Sequence, residues 1–287
     1  MTNVFAHPAA LRSGQRRPRA AGRSAGEIAG SVRIPVPLGA AAVRPASAPI
    51  VQAPCSPELL AAAEAAIDGA LDAVFALDPL LGPGLSQLAS VLASVVKRHG
   101  ALLESALGEA LEQSGRYLVF RNVAMPITEA TQQMLRDGTP DQFRGMSIAL
   151  QGAVAQTVFL DLVVIDLETR RAILAEVKRG NGKSEARKRH QVEWCLRAAQ
   201  LQGRAFLASL GVQVASAQAV LIDVYARAGF AADLTVTGAH LDELFGVPVD
   251  AALQAVTTVL AARLRTAVPA LVHDAGDMVP GAAFDPG

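Results

Sequence analysis

The chain has 287 residues and no net charge at pH 7, and 51% of its residues are hydrophobic and 18% charged. This composition lets most of the chain bury a core. It excludes a uniformly basic surface, so binding of a polyanion would need a local cluster of cations. Aromatic residues make up only 4%, and the small aliphatic side chains favour helices packed on a sheet over an all-β sandwich.

The two cysteines, Cys55 and Cys195, are too few for a disulfide framework or a cysteine-only zinc site. No uninterrupted apolar run reaches the roughly 18 residues typical of a membrane span. The N-terminus also lacks the apolar stretch of a secretory signal. The sequence therefore predicts a cytoplasmic protein with no membrane association.

Residues 1–56 are predicted to form a disordered tail, because Pro, Gly, Ser and Ala punctuate them without a sustained period. Arginines dominate its charge and face a single acidic residue, Glu27. These arginines are Arg12, Arg16, Arg17, Arg19, Arg23, Arg33 and Arg44. One interpretation is an arm that grips nucleic acid through its charge. A solvated tail without a partner and an organelle transit peptide are the alternatives.

Two helices are predicted to follow the tail. The first spans 57–77 and begins at Ser56-Pro57-Glu58, a capping Ser, a Pro in the first turn and an acid near the positive end of the dipole. Asp78-Pro79 and Gly82-Pro83-Gly84 then break the chain. Apolar residues at three- and four-residue steps predict a second helix over 85–113, which Gly100 could divide.

Four apolar segments with strand character come next, with helices between and after them. The predicted strands are 117–123, 158–166, 172–178 and 219–225. The other predicted segments are an insertion of helix and loop over 127–152, a helix over 184–210, helical sequence over 233–271 that is interrupted at 246–248, and a loose end over 276–287. The second and third strands are expected to form a hairpin, which gives a core order of α, β, β, β, α, β.

Three charged residues interrupt these apolar strands. Asp161 lies within the second strand, while Glu176 and Lys178 end the third strand on one face, because strand side chains alternate. A carboxylate in an apolar strand is costly without a partner, and a hairpin would bring Asp161 beside Glu176. Mg²⁺ relieves such crowding, since it binds one or two carboxylates together with phosphate oxygens. It also activates water, and a nearby lysine stabilises charge in the transition state.

Asp161, fourteen intervening residues and Glu176-Val177-Lys178 together resemble the D…(D/E)xK signature of the PD-(D/E)XK nuclease superfamily. The resemblance implies a restriction-endonuclease-like αβββαβ core over about 99–225, with a mixed central sheet flanked by helices. It implies a single α/β nuclease-like domain over 57–275. The additional helical flanks of that domain are 57–96 and 233–271.

The same resemblance implies roles for individual residues. The residues expected to hold Mg²⁺ or Mn²⁺ are Asp161, Glu176, the Val177 carbonyl and Glu104. Lys178 is expected to position the attacking water. The residues expected to bind nucleic acid, with DNA favoured, are Lys183, Arg187, Lys188 and Gln191. Leu160 replaces the Pro that often precedes the Asp, and Cys195 stands where the exonuclease-like branch has Tyr. Many enzymes of this type act as dimers, so a homodimer is a candidate assembly.

Two alternatives remain open at the level of sequence. Gly180-Asn181-Gly182-Lys183-Ser184 is similar to the end of a phosphate-binding loop, and Asp223 ends an apolar strand as the Mg²⁺-binding Asp of nucleotide hydrolases does. However, Val177 stands where the full loop pattern needs Gly, and only one clear strand follows the loop. The other alternative is a nuclease-like fold that binds nucleic acid or a partner protein without cutting.

Overall fold

The computed structural model describes residues 55–143 and 145–277. The helices are α1 (Pro57–Leu71), α2 (Gly82–Gln113), α3 (Glu129–Asp137), α4 (Ala186–Ser209), α5 (Leu241–Phe245) and α6 (Val249–Asp277). The strands are β1 (Tyr117–Thr128), β2 (Val154–Asp166), β3 (Arg171–Lys178), β4 (Ser216–Asp223) and β5 (Thr235–Thr237). Short 3₁₀ turns span Pro140–Phe143 and Gly238–His240.

The five strands form one sheet in which they lie in chain order, from β1 to β5. The β1–β2 and β2–β3 pairs are antiparallel, whereas β3–β4 and β4–β5 are parallel. The helix α4 forms the crossover between the parallel strands β3 and β4, as a parallel pair requires. The protein is therefore an α/β protein with a mixed open sheet flanked by helices, and the predicted β2–β3 hairpin is confirmed.

Helices cover both faces of the sheet. Leu162, Ile173 and Val220 are buried in the core that the sheet shares with α1, α2 and α6. On the opposite face α4 lies against β3 so closely that a Cβ on Gly203 would collide with the Leu174 side chain. This close approach accounts for a glycine inside a helix, where it normally costs stability.

The start of the folded region lies slightly before the predicted boundary. Ser56 caps α1, since its Oγ accepts a hydrogen bond of 3.1 Å from the Leu59 N–H, as the sequence predicted. Cys55, which was assigned to the tail, is only 2% exposed, and its Sγ donates to the Ala252 carbonyl of α6. The rest of the predicted tail, 1–54, and the loose end from 278 onward lie outside the described residues.

Two predictions about the first helices are wrong. The helix α1 ends at Leu71 instead of residue 77, and a connection with exposed apolar side chains such as Leu80 follows it. Gly100 does not divide α2, which runs unbroken through it. Apolar residues continue past Leu71, and Phe75 still packs against the core, but Val74 and Leu77 are exposed, so little burial would stabilise further helical turns.

The strands extend beyond their predicted limits. Strand β1 continues past residue 123 to Thr128, and β2 begins at Val154, four residues before its predicted start, so these two strands form a ribbon longer than the rest of the sheet. The predicted helical region 233–271 contains a strand at its start, β5. A strand of three residues is too short to give a sequence period, and its partner β4 creates it.

Within the described residues, α6 is the one helix long and apolar enough, over Val249–Ala275, to cross a membrane by length and composition. Arg263 and Arg265 interrupt it, so a search for uninterrupted apolar residues does not find it. Leu253 and Val256, in its first half, are buried in the core with α1 and α2.

Candidate active site

The backbone pairing of β2 with β3 ends at Leu162 and Ala175. The same register carried one step further places Asp161 opposite Glu176. Beyond Leu162 and Ala175 a side chain replaces the backbone partner: Asp161 Oδ2 accepts a hydrogen bond of 2.7 Å from the Val177 N–H. The two strands therefore separate at the pair of carboxylates that the sequence predicted to be neighbours.

Glu176 and Lys178 lie on the face of the sheet that α4 covers. Leu162 and Ala175 belong to the core on the other face, and alternation turns Asp161 and Glu176 away from it. Lys178 Nζ forms an ion pair with Glu176 Oε1, with side chains 32% and 17% exposed respectively. The predicted trio thus meets in a half-buried position at the end of the hairpin.

The electrostatics of this position favour a positive charge. Burial raises the pKa of Glu176, and the negative charge of Asp161 raises it further, while Lys178 opposes the rise. Burial also raises the pKa of Glu104, and Asp161 and Glu176 add to that effect. Three carboxylates therefore repel one another in a partly desolvated setting, which a proton or a cation would relieve.

Glu104 reaches the site from α2, on the opposite side of the sheet from α4. It is half-buried, and Arg121 of β1 and Lys178 both oppose the rise of its pKa. Arg121 is paired with Glu112 at 2.6 Å, and a Cβ on Gly108 would lie 2.6 Å from its guanidinium. Arg121 was not among the predicted site residues, although an arginine within an apolar strand is a signal that could have identified it.

The β1 backbone is distorted beside Asp161. Arg121 pairs with Leu162 and Val123 with Leu160, so Asn122 stands opposite Asp161. Asn122 has φ of 52°, in the left-handed region that non-glycine residues occupy only at a cost. The regular ladder is therefore interrupted on both sides of Asp161, which leaves this carboxylate at a gap in the sheet.

The residue after Lys178 is fixed by α2 and α6. Arg179 Nε donates to His99 Nδ1 at 3.0 Å, and His99 Nε2 lies 3.1 Å from Thr257 Oγ1. Thr257 donates its own proton to the Leu253 carbonyl, so His99 is the donor to Thr257. Burial first, and Arg179 second, lower the pKa of His99 to about 4. His99 is thus a buried neutral residue with a structural role.

The helix α4 brings some of the predicted nucleic-acid-binding residues to the site. Lys188 is close enough to Glu176 to lower its pKa. Gln191 Nε2 lies 3.5 Å from Cys195 Sγ. Burial raises the pKa of the Cys195 thiol, the hydrogen bond from Gln191 opposes this rise, and the negative charge of Glu176 adds to it. Gln191 and Cys195 therefore line the α4 side of the site.

Two other predicted residues lie nearer the edge of this region. Arg187 is exposed at the start of α4. Lys183 is also exposed, and its aliphatic stem lies beside Gly229, 3.2 Å from where a Cβ there would be. Neither residue contributes to the pKa shift of Glu176 or Glu104. The structure therefore brings Lys188 and Gln191 to the carboxylates and leaves Lys183 and Arg187 on the surface nearby.

The loop from Gly180 to Ser184 does not have the arrangement of a phosphate-binding loop. Its Ser184 N–H donates to the Ala228 carbonyl at 3.1 Å, although a phosphate-binding loop turns such N–H groups toward the ligand. Gly180 has φ of 74° and abuts the Asp223 carboxylate. That carboxylate accepts from the Ala228 N–H through Oδ2, while its buried Oδ1 has no partner in the described residues. The close approach of the Asp223 carboxylate therefore accounts for the glycine at position 180, and no bound nucleotide is needed to explain it.

The donor set fits a hard divalent cation of low protein coordination number. Within the described residues, no three His, Cys, Asp or Glu side chains are arranged as a ready-made metal site. Mg²⁺ needs fewer, because it keeps several waters and binds through one or two carboxylates plus phosphate oxygens. Asp161, Glu176 and the Val177 carbonyl supply such a set, and the mutual repulsion of the carboxylates favours its occupation.

Comparison of the chain with family models, curated proteins and solved structures gives no match.

Proposed function

We propose that this protein is a metal-dependent nuclease of the PD-(D/E)XK superfamily with a restriction-endonuclease-like core. The observation that carries the proposal is the meeting of Asp161, Glu176 and Lys178 where β2 and β3 separate. The raised pKa of Glu176 and Glu104 supports it, since perturbed carboxylates concentrate at functional sites. A purely structural ion pair between Glu176 and Lys178 would not explain why a second carboxylate, Asp161, lies close enough to raise the pKa of Glu176.

In this proposal Asp161, Glu176 and the Val177 carbonyl hold Mg²⁺ or Mn²⁺, and Glu104 completes the site. The cation, when bound, lowers the pKa of a coordinated water and screens the charge that develops on phosphorus. Lys178, the ion-pair partner of Glu176, would donate hydrogen bonds to the attacking water and to the developing negative charge.

The remaining residues hold the substrate. Lys188, beside Glu176, contacts a phosphate near the scissile one. Arg187 and Lys183 contact the adjoining backbone, so binding weakens as salt rises. The chain as a whole is neutral, which makes this local cluster the natural place for nucleic acid to bind. DNA is the favoured substrate, and the resemblance leaves a homodimer as the candidate assembly.

The proposal is tested by incubating the protein with linear, circular and single-stranded DNA and RNA in Mg²⁺, Mn²⁺ or EDTA. We expect cation-dependent cleavage that Asp161→Asn abolishes and Lys178→Met slows by about 10²–10³-fold, the range for loss of one group that stabilises transition-state charge. Glu168→Gln is the matched control, because Glu168 lies in the turn at the far end of the same hairpin and is 74% exposed. It should cut at the wild-type rate.

Two outcomes would contradict the proposal. Cleavage that persists in folded Asp161→Asn protein would place the activity elsewhere or in a contaminant. Salt-dependent binding of nucleic acid with no cleavage under any cation would favour a binding module on the same fold.

A further inference from the structure

A groove next to the proposed active site has the chemistry of a base-binding site. It has a volume of about 190 Å³ and lies between α3, β2 and the first turns of α4. Its lining residues are Gln132, Arg136, Gln156, His190, Gln191 and Trp194. Sites for whole small molecules occupy about 300–1,000 Å³, so this groove suits one planar group of a larger ligand.

Most of the polar side chains in the groove have no hydrogen-bond partner within the described residues. Gln132, Gln156 and His190 form no side-chain hydrogen bond within the described part of the chain, and the indole N–H of Trp194 forms none there either. Arg136 donates only to Gln133, a neighbour on its own helix. Side-chain amides, an imidazole and an arginine can match the donors and acceptors on the edge of a nucleobase.

The charge of the lining selects against a cation. Arg136 is positive, and no lining residue is acidic. The half-buried Trp194 adds an aromatic ring, and bases stack on such rings with little dependence on sequence. An aromatic ring with unpaired amides and no acidic group is what an exposed base of a single strand requires.

Gln191 connects the groove with the surroundings of the proposed catalytic residues. Gln191 lines the groove and also contacts Cys195. The negative charge of Glu176 is close enough to Cys195 to raise the pKa of its thiol. Along β2, Gln156 precedes Asp161 by five residues, which is about 17 Å in a strand. Phe159, which is 70% exposed, points to the other face of the strand from Gln156, because strand side chains alternate, so the route from the groove to the carboxylates follows Gln191 and α4.

We propose that this groove holds an unpaired base of a single-stranded substrate, stacked on Trp194 and contacted by Gln132 and Gln156. The inference rests on the proposed nuclease function and narrows it, because it makes single-stranded nucleic acid the preferred substrate. The strand then runs along α4, past Gln191, toward Glu176. A fully paired duplex keeps its bases stacked inside and cannot fill the groove.

The chain offers a direct reporter, since Trp194 is its one tryptophan. In EDTA, where no cutting is expected, intrinsic fluorescence is followed during titration with four ten-nucleotide probes. These are a single DNA strand of thymidylate, a single RNA strand of uridylate, a blunt duplex, and an abasic strand with the same phosphates. We expect saturable quenching by the single strands, and little or none by the duplex or the abasic strand.

Variants separate the groove from the catalytic residues. Trp194→Leu should weaken binding of the single strand by about 10- to 100-fold, the range for loss of one stacked base, whereas Trp194→Phe retains most of the affinity. These affinities are measured by anisotropy of a labelled probe, and circular dichroism checks folding. If Trp194→Leu fails to fold, the half-buried Gln132→Ala variant and the wild-type fluorescence carry the test.

The two proposals fail in different ways. Single-strand binding without any change in Trp194 emission, or equal quenching by the abasic probe, would overturn the base-binding groove even if the protein cuts nucleic acid. Base-dependent quenching in a protein that shows no cleavage would support the base-binding groove and contradict the nuclease proposal.

Discussion

Protonation of His99 should be one of the main sources of pH sensitivity in this protein. His99 is 4% exposed, and its pKa is lowered from 6.5 to about 4 by burial and by Arg179. The unfolded chain therefore binds this proton more readily than the folded protein does. Stability contributed by neutral His99 is complete above pH 6.5 and is lost as the pH falls toward 4.

The size of the effect follows from the two pKa values. A separation of 2.5 units corresponds to about 3 kcal/mol of unfolding free energy lost between pH 7 and pH 4, at about 1.4 kcal/mol per unit. Glu176 and Glu104, whose pKa values are raised, act in the opposite sense over part of this range. The His99 contribution must therefore be isolated by comparison with a variant.

His99→Gln provides that comparison, because the Gln side chain can accept from Arg179 and donate to Thr257 but does not titrate. Urea unfolding of both proteins is measured at intervals from pH 7 to pH 4. We expect the wild type to lose about 3 kcal/mol more than the variant over this range. Parallel curves for the two proteins would refute the reasoning, since they would mean that His99 protonates in the folded state without penalty.

Three further predictions concern stability. Protonation of Asp166 should make the wild type lose roughly 2 kcal/mol of unfolding free energy between pH 5 and pH 2. Arg116→Met should make this loss smaller, as measured by urea unfolding. Burial opposes ionisation of Asp166, but hydrogen bonds from Arg116 and nearby backbone lower its pKa to about 2, so its stabilisation is lost as the pH falls through about 4 to 2. Gly180→Ala should cost about 1–3 kcal/mol, because residue 180 has φ of 74° and its Cβ would meet Asp223. Leu103→Ala should cost about 2–5 kcal/mol in thermal or urea unfolding, since Leu103 is 0% exposed.

Matched controls accompany these changes. Gly182→Ala lies in the same loop as Gly180 with no atom within 4 Å of its Cβ position, so its stability should change little. Leu80→Ala removes a side chain that is 91% exposed and should cost less than about 0.5 kcal/mol. Equal losses within either pair would contradict the packing on which the predictions rest, and an unchanged acid profile in Arg116→Met would contradict the Asp166 prediction.

Much of the fold could be predicted from local patterns. The start of α1 at Ser56, the apolar stripe of α2 and the β2–β3 hairpin all follow from residues close together in the chain. Alternation along β3 was enough to place Glu176 and Lys178 on one face. The short strand β5 and the end of α1 at Leu71 could not be predicted, because β5 depends on pairing with a neighbouring strand and the end of α1 depends on how little of the following segment is buried.

The candidate site divides in the same way. Asp161 and the Glu176–Lys178 pair were predicted because charged residues in apolar strands stand out from their surroundings. Arg121 was missed, since its relation to Glu104 depends on how α2 crosses β1. The groove around Trp194 was missed as well, because its residues come from α3, β2 and α4.

The sequence by itself determined where the four longer strands lie, which face Glu176 and Lys178 share, and where charge interrupts the apolar pattern. These properties repeat every two or four residues and need no knowledge of distant segments. Only the tertiary structure decided that Glu104 from α2 approaches Asp161 and Glu176, and that Lys188 from α4 approaches Glu176 from the other side of the sheet. The interruption of the strand ladder at Asp161 and the groove beside Gln191 are also properties of the tertiary structure alone. The physical reason is that burial and Coulomb interaction depend on distances between packed elements, which local spacing does not encode.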